Sequence, residues 1–361
     1  MNKNNDKLVP DLRTGLDDLV MAIMAENDLA VKEDVQDAEV IEQPENTNNA
    51  SSNFFSHKVE SVPVYVIDGN GNYVKIQNFH GVNRTPKDGT GTEPEILHIA
   101  PNTSSVISMD EIEAIAKQLI DAGYEYCNHG ELKNNKWLFI ELEHPDLPKM
   151  HFNGTSLVPK MFLGSSHDGT LAMKSTVKIV DTVCYNTFMM NHNSDLLFKA
   201  KHTRNASYRI QEYRQGLEDA SELLNQYYDQ VDKLSNTQFS GKHKLEGYFA
   251  GSIGAKKMER NRKQNGKTIK TLPMYSGKHQ KQIEQLFESY EQGAGQKERG
   301  ETLWSAFSAV TDWCDNHPAN EKSVKLGTNL IGNRARQKQV AWNLANECHK
   351  TFGNSTTTFI Q

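Results

Sequence analysis

The 361-residue chain lacks the features that mark several protein classes. No apolar run approaches the roughly 18 residues of a membrane-spanning helix, and the start MNKNNDKLVPD lacks the basic-then-apolar build of a signal peptide. Cys127, Cys184, Cys314 and Cys348 stand far apart, with no Cys-x-x-Cys pair, which argues for reduced thiols over a disulfide framework or a zinc site. Phosphate-binding glycine loops are missing as well. Gly266-Lys267-Thr268 ends like a P-loop, but Asn261 stands where its first glycine belongs and AKKMERNRKQ before it is not a buried strand. Gly293-Ala294-Gly295 follows a helical pattern instead of a strand, so it fails as a dinucleotide fingerprint. These absences predict a soluble, cytoplasmic protein without metal, nucleotide or other cofactor.

The net charge of -6 is unevenly spread. Residues 1–57 hold twelve acids and four bases, a balance of -8, which leaves +2 for the rest of the chain. Residues 26–53 are rich in Asn, Asp and Glu and bury too little apolar surface to offset their ordering entropy, so 1–57 reads as an acidic, mostly disordered arm. Within it Leu16, Leu19, Val20, Ile23 and Met24 recur at helical spacing, a short helix that would dock on its own domain, bind a partner or mimic nucleic acid over a basic groove.

Residues 58–200 read as an α+β core. Val62–Ile67 and Tyr73–Ile76 flank Asp68-Gly69-Asn70-Gly71-Asn72, which starts like a calcium loop; Tyr73 replaces the sharp-turn glycine and Phe79 the bidentate glutamate, so a hairpin turn is predicted. Ser108 and Glu111 form a capping box for an amphipathic helix that Gly123 ends. Strand patterns follow at Tyr124–Asn128, Trp137–Leu142, Leu157–Leu163 and Leu171–Val180, a meander backed by helices.

The most patterned stretch is Leu157–Arg204. Asp168-Gly169 between two apolar runs predicts a two-residue hairpin turn, which pairs Lys174 with Leu163 and Thr176 with Met161 and leaves neither face cleanly apolar, so a bulge is expected. Val183–Met190 reads as a helix capped by Asp181 or Thr182. Ser166, His167 and Asp168 resemble a triad, but neighbours on a strand project to opposite faces and three turn residues cannot relay a proton among themselves. An enzyme reading would require His167, Asp168 and Asn186 to converge in a polar pocket.

Residues 201–350 read as helical and 351–361 as a frayed tail. From Ile210 to Leu234 apolar residues recur in steps of three and four, a seam for another helix of the chain or for a second copy. Its internal partner is Thr302–Asp315, with a stripe of Leu303, Phe307, Val310 and Cys314; Trp313 falls off that stripe and is a candidate for stacking on a base. The window 255–281 is the most basic, with nine cations against Glu259, and reads as a mobile loop. Its candidate nucleic-acid contacts are Lys256, Lys257, Arg260, Arg262, Lys263, Lys267 and Lys270. Lys199, Lys201, His202, Arg204 and Arg209 form a second set, near Tyr208 and Tyr213.

SSHDGT, V-x-I-V-x-x-V-C-x-N-T (Val177–Thr187), K-x-K-H-T-x-x-x-x-x-R-I (Lys199–Ile210) and the block Gly300–Trp313 occur in order. In these blocks the chain resembles the phage/plasmid-like family called domain of unknown function 932, over about Val62 to Lys338. His167, Asp168, Gly169, Asn186 and Thr187 carry the likeness. It implies a protein of mobile elements, in the host cytoplasm if phage-encoded, and by analogy of fold a β-meander followed by a helix, as in phage strand-annealing proteins. The resulting expectation is a non-enzymatic binder of single-stranded DNA in recombination or replication, able to form a homo-oligomer through the 210–234 seam. The alternatives are an enzyme with the pocket named above and a host-interaction protein working through its acidic arm.

Overall fold

The computed structural model describes residues 54–55, 57–87, 95–132, 136–152, 155–170, 172–184, 186–189, 196–201, 220–258, 261–264, 267–270, 274–316 and 333–353. Antiparallel sheets fill the first half and helices the second, an α+β architecture. The acidic arm before Phe54 and the tail after Gly353 lie outside the described residues.

Strands β1 (His57–Ile67), β2 (Tyr73–Pro86) and β3 (Glu95–Pro101) form a three-stranded sheet in that order. The β1–β2 turn is the expected hairpin: the Asp68 carboxylate accepts the N–H groups of Asn70 and Asn72, each at 2.8 Å, and Gly71 takes φ 84°. Helix α1 (Met109–Asp121) starts on the predicted box, with Glu111 N–H on the Ser108 hydroxyl and Ser108 N–H on the Glu111 carboxylate. Its Ile112, Ile115, Ala116 and Leu119 share one core with Leu138, Ile140 and Leu142 of the larger sheet.

That seven-stranded sheet comprises β4 (Glu125–Leu132), β5 (Trp137–Glu143), β6 (Met150–Phe152), β7 (Thr155–Ser166), β8 (Met173–Asp181), β9 (Thr187–Met189) and β10 (Leu196–Ala200). Its order is β10-β8-β7-β5-β4, with β6 on β7 and β9 on β8. Four expectations are corrected here, the first being the bulge, since the β7–β8 register runs unbroken from Leu157–Asp181 to Gly164–Lys174. The β7–β8 connection spans residues 167–172 instead of a two-residue turn, and the register pairs Gly164 with Lys174 and Met161 with Val177, one residue from the predicted pairing. Since side chains alternate, that single step sorts the faces: Leu157, Met161, Leu163, Val177 and Ile179 all enter the core. The segment 183–190 is also not a helix. Val183 N–H closes onto the Asp181 carboxylate, and Thr187–Met189 turns back to pair with β8 because Phe188 is drawn among Tyr227, Phe307 and Trp342.

The second half holds α2 (Ala220–Ser235), α3 (Lys242–Ser252), the hairpin β11 (Asn261–Gln264) and β12 (Lys267–Lys270), α4 (Gly277–Gln292), α5 (Gln296–Arg299), α6 (Leu303–Asp315) and α7 (Asn333–Phe352). Helix α6 is its axis, with twelve of thirteen residues buried. Ser305, Ala306, Ser308 and Ala309 are small enough to let neighbours approach from the sides that the Leu303, Phe307 and Val310 stripe does not cover. In α2, Leu224, Tyr227, Val231 and Leu234 are buried in the chain's own core; residues 210–219 of the predicted seam lie outside the described residues. Trp313 is buried, not available for stacking, and its indole N–H donates to Gln285 at 3.2 Å.

On the second face of the large sheet, Phe139 and Phe162 stack nearly parallel with centroids 5.9 Å apart, each over a glycine. A Cβ on Gly164 would lie 2.6 Å from the Phe162 ring, and one on Gly130 2.7 Å from Phe139. Gly164→Ala should therefore cost about 1–3 kcal/mol of unfolding free energy by overpacking, read from urea denaturation. Gly69→Ala, where the added carbon meets nothing within 4 Å, serves as the control and should leave the midpoint in place.

Candidate functional site

The V-C-x-N-T segment lies where the sheet meets the helices, and it is wired into them by buried charges. Asp181 ends β8; its carboxylate takes Arg299 Nη2 at 2.6 Å, the Thr155 hydroxyl at 2.6 Å and Val183 N–H at 3.0 Å. Arg299 also donates to the Ala294 carbonyl at 2.8 Å, and Gly295, at φ 74°, leaves the room its guanidinium occupies. The second pair joins Asp315, the last residue of α6, to Lys338 of α7 at 2.5 Å. Lys338 is only 1% exposed and spends its other donors on the Thr187 carbonyl at 2.7 Å and hydroxyl at 3.1 Å. Thr187 N–H returns to Asp315 at 2.7 Å. Asn186 bridges the same junction, donating to the Ser308 carbonyl and accepting from Asn316.

Most donors and acceptors of this arrangement are engaged, Arg299 Nε being buried without a partner, and little space is left for chemistry. The cavity lined by Asp181, Asn186, Thr187, Ser308 and Thr311 measures about 20 Å³, room for about one water and far below the several hundred Å³ of a substrate pocket. Cys184 sits 3.6 Å from Arg299, yet burial, reinforced by Asp181 and opposed by Arg299, pushes its thiol up to about 12, so it stays protonated and is a poor nucleophile. Among the described residues no three His, Cys, Asp or Glu converge as metal ligands.

The SSHDGT motif lies elsewhere. His167 is buried at the start of the β7–β8 connection, its N–H on the Lys136 carbonyl at 2.7 Å. Asp168 accepts from the Thr170 backbone and hydroxyl, Thr170 accepts the Trp137 indole N–H at 2.8 Å, and Gly169 takes φ 72°. The motif pins the loop to β5. Asn186 is at the far end of the nine-residue β8, about 30 Å away at strand rise, so His167, Asp168 and Asn186 do not share a pocket.

The basic window has more order than a mobile loop. Asn261 pairs with Lys270, Arg262 with Ile269, Lys263 with Thr268 and Gln264 with Lys267, so the two short strands β11 and β12 hold four cations and no acid. A bridge of two backbone hydrogen bonds between Met258 and Met274 closes the base of this ribbon. Lys256 and Lys257 are exposed at its root, the Lys257 ammonium 5.2 Å from the centre of the Tyr275 ring. Lys278 and Lys281 belong to α4 and not to a loop. Arg260 lies outside the described residues. In the second basic set, Lys199 falls on β10 opposite Lys174 and Lys201 is exposed just after it, while His202, Arg204 and Arg209 lie outside the described residues. The sequence did not reveal Arg299 and Lys338 as junction residues. Standing among other cations, Lys297 beside Arg299 and Arg334 and Arg336 beside Lys338, they carry no local sign of a carboxylate 118 or 23 residues away.

Fold and junction together define an α+β protein whose antiparallel sheet meets a helical half through the buried Asp181–Arg299 pair and the hydrogen bonds of Thr187 to Asp315 and Lys338. The chain belongs to the family described as Domain of unknown function (DUF932), whose model matches residues 101–346, more than half of its length. The match begins at the last residue of β3, so the three-stranded sheet precedes it and the expected start at Val62 is corrected. No curated protein and no solved structure matches the chain.

Removing Lys338 would strand Asp315 as a buried, uncompensated charge. Lys338→Met should lose about 3–5 kcal/mol of unfolding free energy, measured by denaturant titration.

Proposed function

We propose that this protein binds single-stranded nucleic acid, DNA by preference, on behalf of a phage or related mobile element, holding strands for recombination or replication without hydrolysing a nucleotide. The observation that carries the reading is the basic ribbon: β11 and β12 with four cations and no acid, rooted between α3 and α4 and flanked by exposed Lys256 and Lys257. Dispersed lysines and arginines on a ribbon neutralise phosphates irrespective of sequence and release counterions as they do so. Lys201 adds a further exposed cation. Strand annealing follows if two bound strands are held extended and screened from each other's charge.

The test is a fluorescence-anisotropy titration of labelled single- and double-stranded oligonucleotides at several salt concentrations, with annealing of complementary strands followed in the absence of ATP. Affinity for single strands should fall steeply with salt. Lys256→Gln with Lys257→Gln should flatten the log–log slope by about 0.7 for each phosphate that is no longer neutralised. Binding that is absent, or that does not respond to salt, contradicts the proposal.

A further inference from the structure

Eight of the twelve large apolar residues exposed among the described residues lie between Tyr65 and Ile99, in the sheet that precedes the family match. Five of them crowd the tip of the β1–β2 hairpin. Register is regular from His57 to Pro63, then jumps: Pro63 pairs with His80 but Tyr65 with Lys75, so Ile76–Phe79 bulges out, Asn78 at φ 67°. β3 pairs with β2 only from Phe79 onward. Beyond the bulge the tip is therefore two-stranded, held by the pairs Tyr65–Lys75, Val66–Val74 and Ile67–Tyr73. Those pairs put Tyr65, Ile67 and Tyr73 on one face and Val66 and Val74 on the other, all between 46% and 77% exposed.

A two-stranded ribbon is marginal in water, and three or more strands are needed for independent stability. Here both faces are apolar and both are wet. β1 is also an edge strand: among the described residues it has β2 on one side and no strand on the other. Val64–Ile67 has no charge that would discourage pairing with another chain, the device by which exposed edges are normally protected. From Val62 to Ile76 the only charged residues are Asp68, held within its own turn, and Lys75. A patch with no net charge is a poor surface for phosphates, which separates it from the basic ribbon.

We infer that this edge is a self-association surface and that its occupant is a second copy of the chain. A two-fold antiparallel arrangement sets Val66 against Val66 of the partner subunit and Tyr65 against Ile67 of the partner subunit. The apolar edge is thereby complementary to itself, as a two-fold interface requires. Two marginal hairpin tips become one four-stranded sheet in the order β2-β1-β1-β2, each tip supplying the strands the other lacks. The absence of charge on the edge means that the two copies meet without repulsion.

Sedimentation velocity on the full chain, from low to high micromolar concentration, tests this. The wild type should pass from monomer to dimer. Val66→Lys should remain monomeric throughout, with the Tm of the dilute, monomeric wild type, since its half-exposed side chain lies outside the core. Val66→Cys should form a covalent dimer under mild oxidation, while the wild type, with three of its four cysteines buried, should not. A wild type that is monomeric at every concentration overturns the inference, and so does a dimer that survives Val66→Lys and is not trapped by Val66→Cys.

Discussion

Two buried ion pairs meet where the sheet joins the helices: Asp181–Arg299 links β8 to α5, and Asp315–Lys338 links α6 to α7 and reaches the sheet through Thr187. Each joins a residue at the end of one element to a cation contributed from another, and each carboxylate takes further hydrogen bonds from Thr155, Val183 or Thr187. Taking four charges out of water is costly, and Coulomb attraction offsets that cost only when the remaining donors and acceptors are satisfied. That condition explains why Thr187 and Asn186 stand where they do: they complete the hydrogen bonding of Lys338, Asp315 and Ser308. An apolar junction of similar volume could be equally stable, so the pairs by themselves are weak evidence for added stability.

The same constraint explains which features were legible in the sequence. Local chemistry was readable. The α1 capping box and the Asp68 turn each need only a few neighbouring residues, and both formed as expected. The stripe of α6 was readable too, because it has helical period, but the burial of Trp313 was not, since the helix is enclosed on nearly all sides. The strand Thr187–Met189 is not legible in the sequence because three residues have no periodicity of their own; Phe188 is placed by Tyr227, Phe307 and Trp342, which lie far along the chain. The one-residue offset in the β7–β8 register likewise came from the Trp137–Thr170–Asp168 contacts that set the connection. Arg299 and Lys338 remained invisible because nothing beside them predicts a distant carboxylate.

For function, the consequence is a separation of roles. The residues that look most chemical, His167, Asp168, Asn186, Thr187 and Cys184, are buried or engaged in holding loops and layers together. The surfaces left for partners differ in kind: a ribbon rich in cations without an acid, and a hairpin tip that is apolar and carries no net charge. The first suits a polyanion and the second suits another protein surface, and they belong to different elements of the fold. Within the family match lie the junction and the ribbon; outside it lies the hairpin.

On the proposed reading the basic ribbon, and not the polar motifs, is the surface that meets nucleic acid. Hydrogen–deuterium exchange with and without a saturating single-stranded oligonucleotide tests it most directly. Binding should bring new protection over residues 255–275, with the β7–β8 connection at 167–172 and the junction at 181–187 unchanged. Protection centred on either of those two segments, with none over 255–275, would contradict it.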